Sequence, residues 1–385
     1  MTDIQYINSD DQLNSLCRQI EETSWIALDT EFLREKTYYP KFCLLQIATP
    51  NWVVCVDPIA LPKLDKLFEA IYSPSITKVF HSCHQDLEIF FQVTGRVPGP
   101  IFDTQVAAPL LGYQDNPGYA MLVSSLLNIN LNKAHTRADW SKRPLTEDEI
   151  QYAADDVIYL CKIYQIMLQK LDALGRTEWL KQDFKELENP EHYKADPEKA
   201  WLKIRGKNKL TAKQLSIVQS LAKWREATAQ IENRPKTWLM RDDLIFDIAK
   251  LQPETVSDLS AIRGINERTV QRHGKKLCDL ISTAKNSDPI PLKEKDRSNK
   301  KSQQHEAILD ILTALVRIRA EENALNPTIL ASRKDLETLL FNEDEDCPLL
   351  HGWRYTMAGR ELIGLLKGEL LFGIQSDKLT VIEKR

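Results

Sequence analysis

The 385-residue sequence predicts a multidomain chain in which an α/β domain on a mixed sheet precedes two all-α helical units. Three observations carry that prediction. The length exceeds what one hydrophobic core ordinarily serves. Short strand-like runs interleave with helical patterns in the first half, as they do in a sheet covered by helices. Beyond about residue 189 every periodic segment has helical spacing.

Residues 25–32 (WIALDTEF), 43–48 (CLLQIA), 52–57 (WVVCVD) and 77–82 (TKVFHS) are short, apolar and rich in β-branched or aromatic residues, so strands are expected. Thr49-Pro50-Asn51 makes the middle pair a hairpin. LPKLDKLFEAIYS, HQDLEIFFQVTG and IFDTQVAAPLLG have helical spacing, another helix begins near Tyr119, and a long one runs from Thr146 towards residue 187. Thr146 and Glu149 supply a capping box for that long helix. ENPEHYKADPEKAW is a polar connector. LTAKQLSIVQSLAKWREATAQIEN, DDLIFDIAKLQ, VSDLSAI and ERTVQRHGKKLCDLIS then predict one helical bundle. DPIPLKEKDRSNKKSQQ has the composition of a linker. HEAILDILTALVRIRAEENAL opens a second helical unit expected to reach GWRYTMAGRELIGLLKGELLFGI, and the two units read as a diverged duplication.

Hydrophobic content of 43% and charged content of 28% are those of a soluble globular protein, and no apolar run is long enough to span a bilayer. The start, MTDIQYINSD, lacks a secretory signal, so a cytoplasmic location is expected. Cys17, Cys43, Cys55, Cys83, Cys161, Cys278 and Cys347 are scattered without a CxxC pair, which disfavours a disulfide framework or zinc site. His81-Ser82-Cys83-His84 has no partner cluster. The net charge of −4 argues against a general nucleic-acid binder, yet residues 201–290 hold 17 Lys/Arg against 10 Asp/Glu. That excess suits either phosphate contact or a solvated helical surface.

Alternation along a strand places Asp29 and Glu31 on one side, with Leu28 and Thr30 on the other. A D-x-E pair can simply protrude into water, and Asp86, in the first turn of a helix, can simply complement the helix dipole. Tyr152 and Asp156, four apart on the long helix, share a face, whereas Asp155 points about a hundred degrees away. Together Asp29, Glu31, Asp86 and Asp156 form an oxygen-only set suited to hard cations such as magnesium or manganese. Four carboxylates exceed what one magnesium ordinarily takes, so two ions are expected, an arrangement suited to in-line displacement at phosphorus.

D-x-E after a strand, Asp86 in H-x-x-x-x-D-L, and Y-x-x-x-D on a helix resemble the motifs of the DEDDy 3′–5′ exonucleases. DTEFLREKTYYP, LLQIA, Val56-Asp57-Pro58 and ADWSKRPLTEDEIQYAADDVIYL are most similar to the ribonuclease D family. The resemblance implies a ribonuclease H-like DEDDy exonuclease domain at 1–190, a connector at 191–206, a first HRDC domain at 207–287, a linker at 288–302 and a second HRDC-like domain at 303–385. It implies that Asp29, Glu31 and Asp156 hold the metal that activates water, that Asp29 also binds the second ion with help from Asp86, and that Tyr152 orients the attacking water. The implied activity is metal-dependent removal of nucleoside 5′-monophosphates from RNA 3′ ends, with transfer-RNA precursors as partners, no membrane and a monomeric chain. A DNA exonuclease and a non-cutting RNA-binding scaffold are the alternatives.

Substrate contacts are open between two readings each. Phe32 is placed to stack on terminal bases, worth roughly 1–3 kcal/mol per base, or to pack as a core aromatic. Gln46 is placed to bond the terminal ribose, or to satisfy itself within the sheet. Arg143 is placed for a phosphate or for a structural salt bridge. Lys203, Arg205, Lys207 and Lys209, with Gly264 and Gly274, make the first helical unit a substrate-positioning module or a protein-docking one.

Overall fold

The computed structural model describes residues 3–131, 138–288, 302–341, 347–376 and 378–384. Most of the expected linker at 288–302 lies outside the described residues. Two compact units emerge. The first comprises Met1–Glu31, Leu44–Asn189 and Ser298–Arg385, and the second comprises Phe32–Cys43 and Pro190–Arg297.

In chain order the sheet-forming region runs β1 (Ile4–Ile7), α1 (Asp10–Glu21), β2 (Trp25–Leu33), β3 (Lys41–Ala48), β4 (Val53–Val56), α2 (Asp65–Ile71), β5 (Thr77–Phe80), α3 (His84–Thr94) and β6 (Ile101–Asp103). The six strands are ordered β1-β4-β3-β2-β5-β6. β3 and β4 are antiparallel, the hairpin expected from Thr49-Pro50-Asn51, whereas β1–β4, β2–β5 and β5–β6 are parallel. The sheet is therefore mixed. Ile26, Ala27 and Leu28 of β2 are all buried, so the strand is covered on both faces. β1 and β6 escaped the sequence reading because they are the two edges, only four and three residues long. Lys78 of β5 is wholly buried and donates its three ammonium protons to the carbonyls of Ser73 (2.9 Å), Ile76 (2.7 Å) and Gly99 (2.5 Å).

The segment IFDTQVAAPLLG is not one helix. It divides into β6, α4 (Thr104–Ala107) and a 3₁₀ turn at Ala108–Leu111. Asp103 ends the strand and caps α4, accepting the Gln105 N–H at 2.7 Å. α5 (Tyr119–Leu127) and α6 (Glu147–Ala173) follow. The expected capping box is present, with Glu149 N donating to Thr146 Oγ1 at 3.2 Å and Thr146 N donating to Glu149 Oε2 at 2.8 Å. The helix stops near Gly175, whose φ of +64° an L side chain rarely adopts, and a short α7 (Lys181–Leu187) resumes.

In the second unit α8 (Ala212–Ile231), α9 (Lys236–Leu239), α10 (Asp242–Leu251), α11 (Val256–Ser260) and α12 (Glu267–Asn286) enclose a core of Ile217, Val218, Leu221, Ile245, Ile248, Leu277 and Ile281. The loop after β2 belongs to this unit. The Tyr38 hydroxyl donates to the buried Glu226 at 2.5 Å, and Asn233 Oδ1 accepts the N–H groups of Tyr38 and Tyr39 at 3.0 and 3.1 Å.

The remaining elements are α13 (Gln303–Glu322), α14 (Pro327–Leu330), α15 (Arg333–Phe341), α16 (Gly352–Arg354), α17 (Arg360–Leu366), β7 (Leu370–Gln375) and β8 (Lys378–Glu383). The expectation of an all-helical second unit fails at its end, where β7 and β8 form an antiparallel hairpin. Gly368, at φ +71°, stops the helix, and the residues after it have no helical apolar face to bury. Within the first unit this segment packs on the end of the sheet domain. Trp353 stacks on Trp179 at 5.0 Å and 5°, and Arg176 donates to the carbonyls of Leu110 (2.6 Å) and Asn323.

Candidate active site

β2 and β5 run parallel, so their C-terminal ends meet at one edge of the sheet, where open α/β folds place ligands. Asp29 and Glu31 occupy the end of β2, and Asp86 sits in the first turn of α3, just beyond β5. α6 brings Asp156 to the same place. One oxygen from each of Asp29, Glu31 and Asp156 lies within 4.8 Å of the others, the single such group among the described residues. Asp86 joins them, accepting the Thr30 hydroxyl at 2.5 Å. Thr30 thus serves a fourth carboxylate.

Electrostatics marks the four as a set. Burial, then the charge of Asp156, pushes the Asp29 carboxyl well above its usual range. Burial, then the charges of Asp29, Asp156 and Asp86, raises Glu31, and burial followed by Asp29 raises Asp86. Asp156 is raised to about 7 by burial and then by Asp155. Among the described residues no cationic side chain pairs with any of the four. Carboxylates gathered without a counter-charge hold their protons, and a hard divalent cation supplies the missing charge through oxygen ligands. The residues present therefore fit such an ion.

Tyr152 is half-buried one turn before Asp156, its ring 6.1 Å from that of buried Trp140. Asp155 is half-buried and accepts from Gln151 at 2.8 Å, so it is turned to its own helix. Arg143 is engaged by Asp57 through Nε (2.6 Å) and Nη2 (2.7 Å), and by the Trp140 carbonyl (2.9 Å). The structural salt bridge is therefore present. Although burial raises Asp57, Arg143 and the Tyr6 hydroxyl hold its carboxyl down to about 2. Gln46 is wholly buried, and neither its amide nitrogen nor its oxygen has a partner among the described residues. Phe32 is half-buried and follows Glu31 directly. His81 bonds Thr104 Oγ1 at 2.9 Å and Cys83 is buried, so HSCH gathers no ligand set.

Three contributors were missed in the sequence. Thr30 fixes Asp86. Buried Asp103 accepts the N–H groups of Ser82 (3.0 Å) and Cys83 (2.8 Å), holding the turn that leads into α3. Ser82 has φ +62° there, a left-handed conformation costing roughly 1–2 kcal/mol for a residue other than glycine, which those bonds offset. Tyr119 donates its hydroxyl to the backbone carbonyl of Asp156, and burial, then the charges of Asp156 and Asp29, raises its phenol. An Asp before a helix is a detectable cap signal. Nothing in spacing links Tyr119 to Asp156, thirty-seven residues away.

Comparison with known proteins agrees with this geometry. A family model described as 3′–5′ exonuclease matches residues 4–172, and one described as HRDC domain matches residues 214–281. The chain is 37% identical over 381 residues to a ribonuclease D from Zymomonas mobilis, covering 97% of each. It is 34% identical over 376 residues to a ribonuclease D from Gluconacetobacter diazotrophicus, covering 97% of this chain and 95% of that one. The crystal structure of Escherichia coli RNase D, described as an exoribonuclease involved in structured RNA processing, superposes with a TM-score of 0.81 at 29% identity. That match covers 95% of this chain and 99% of the other.

Proposed function

This chain belongs to the ribonuclease D family and is a 3′–5′ exoribonuclease; from that premise we propose which residues act and on what. Its exonuclease domain has the ribonuclease H-like mixed sheet, an HRDC domain follows, and the activity of the family depends on divalent metal. The finer assignment is ours. Asp29, Glu31 and Asp156 hold one ion, and Asp29 and Asp86 hold a second, magnesium or manganese. The observation that carries this is three carboxylate oxygens within 4.8 Å, uncompensated by any cation among the described residues. When bound, such ions supply a more acidic water and neutralise charge developing at phosphorus.

The residues do the rest. Tyr152 orients water for attack on the last phosphodiester, since a phenol of ordinary pKa near 10 is a poor base at neutral pH. The water oxygen joins phosphorus, the bond to the penultimate 3′ oxygen breaks, and that oxygen takes a proton. A nucleoside 5′-monophosphate leaves behind a new 3′ hydroxyl. Phe32 and Gln46 are the proposed contacts to the terminal base and ribose; the Gln46 amide, without a partner among the described residues, supports its part. Thr30, Asp103 and Tyr119 position the carboxylates.

Transfer-RNA precursors with short 3′ extensions are the proposed substrates, supported by the structured-RNA role of the E. coli relative. We further propose domains at 1–190, 207–287 and 303–385, the last a second HRDC-like unit. The proposed state is a cytoplasmic monomer, for which seven free cysteines fit a reducing compartment. Among the described residues no helix is long and apolar enough to cross a membrane.

A 5′-labelled RNA with a short 3′ overhang, and its DNA counterpart, test the reading in magnesium, manganese or chelator. Stepwise shortening of RNA from the 3′ end with either metal is expected, and none with chelator. Asp29→Ala should lower turnover by roughly a hundredfold or more. Retention of a tenth of the activity refutes the metal assignment.

A further inference from the structure

Val56 ends β4, and Asp57 follows it, 2% exposed and crowded with donors. Its Oδ1 accepts the Ile59 N–H (2.9 Å) and Arg143 Nη2 (2.7 Å), and its Oδ2 accepts the Tyr6 hydroxyl and Arg143 Nε, both at 2.6 Å. The other arm of the same guanidinium, Nη1, donates to the carbonyls of Trp140 (2.9 Å) and Lys142 (2.6 Å). Arg143 thus ties the end of a strand to the turn at 139–143, which leads through Pro144 and the capped start of α6 to Tyr152. Trp140 of that turn is 3% exposed, and its ring lies 6.1 Å from the Tyr152 ring at 32°. Tyr6, Asp57, Trp140, Arg143 and Tyr152 all belong to the first unit.

We propose that the Arg143–Asp57 clasp is a positioning device for Tyr152: it fixes the turn that holds Trp140 against the phenol ring, and so aims the hydroxyl. The inference rests on the water-orienting role of Tyr152 and names the residues that make that role possible. A phenol on a helix turns about two side-chain torsions, and one that aligns a nucleophile must be kept in a single rotamer. An indole within aromatic contact distance restricts the ring. The indole is in turn restrained by the bond that Arg143 makes to its backbone carbonyl. A planar guanidinium spans a carboxylate with two donors and still reaches a carbonyl with a third, which a point-like ammonium does not. These bonds reach none of the four acids, so the metal site should stand without them.

The test uses the full chain and reads kcat, KM and manganese affinity separately on a 5′-labelled RNA. Arg143→Lys keeps a cation beside Asp57 but does not hold both carboxylate oxygens and the Trp140 carbonyl. It should lower kcat roughly five- to fiftyfold, no further than Tyr152→Phe does, with KM and manganese affinity unaltered. Trp140→Leu should do the same, and Trp140→Phe, which keeps an aromatic wall, should restore most of the rate. In a Tyr152→Phe background, Arg143→Lys and Trp140→Leu should lower kcat no further, because the hydroxyl they aim is gone. Losses that multiply across that background make the clasp a general structural support and overturn the proposal, as does an unaltered kcat in Arg143→Lys. A raised KM with kcat intact overturns it in favour of a phosphate contact for Arg143. Urea unfolding accompanies each variant, and if Arg143→Lys does not fold, Trp140→Leu and Trp140→Phe decide by the same criteria. Unchanged kcat in Tyr152→Phe alone defeats the water-orienting role and the clasp together, whereas a loss there with multiplying effects defeats the clasp only.

Discussion

Tyr152 stands one helical turn before Asp156, close enough to share its face yet outside the carboxylate cluster. If it only aligns water, Tyr152→Phe should lower kcat by up to about a hundredfold while leaving manganese affinity unaltered. Calorimetric titration beside steady-state rates checks both, and an unchanged kcat removes the role. The carboxylates themselves set a pH dependence. An unfolded chain releases these protons near pH 4, whereas in folded, metal-free protein Asp29 is held well above that, Asp156 keeps its proton until about 7 and Glu31 until about 10. Between those values the folded state binds more protons, so its stability should fall as pH rises from 4 through 7. Saturating magnesium binds the ionised form and should lift the urea midpoint more at pH 8 than at pH 6. A chelator curve that stays flat or climbs across that range contradicts the shared burial of the four acids. Asp57 acts on the opposite flank: held down to about 2, it loses its contribution as pH falls from 4 towards 2.

The loop between β2 and β3 shows how one element is held by another. Asn233, at φ +45° just past α8, accepts two consecutive backbone N–H groups from Tyr38 and Tyr39, while Glu226 takes the Tyr38 hydroxyl. That loop directly continues the strand carrying Asp29 and Glu31, so the helical unit holds the segment into which β2 runs. Asn233→Ala removes the one oxygen that accepts both bonds and puts a Cβ residue with no local bond in a left-handed conformation. It should cost roughly 1–3 kcal/mol and speed amide exchange at Tyr38 and Tyr39. Hydrogen exchange that remains as slow as in the parent chain would mean the loop is held elsewhere.

For the molecule as a whole, the C-terminal segment is part of the unit that contains the sheet. Arg176, 6% exposed, bonds carbonyls of Leu110 and Asn323, and Trp179 stacks on Trp353. Ending the chain at Ser298 should therefore destabilise the exonuclease unit, because it strips a buried guanidinium of one acceptor and uncovers an indole. A loss of about 2–4 kcal/mol in urea unfolding is expected, from one orphaned charged donor plus one exposed aromatic face. A truncated chain as stable as the full one would make the segment an appendage.

The sequence alone determined the local patterns from which the acidic cluster is built. D-x-E on an apolar strand, Asp86 at a helix start and Y-x-x-x-D on a capped helix are local patterns, because strand alternation and helical pitch fix which side chains share a face. The hairpin and the capping box were legible for the same reason. What lay between chain-distant residues was decided only by tertiary structure. Edge strands β1 and β6 are too short to show a period and form because neighbouring strands template them. Whether Arg143 meets phosphate or Asp57, whether Thr30 serves Asp86, and whether Tyr119 reaches Asp156 are matters of packing across dozens of residues. Periodicity describes one element at a time, whereas these contacts exist only after elements have been buried against each other.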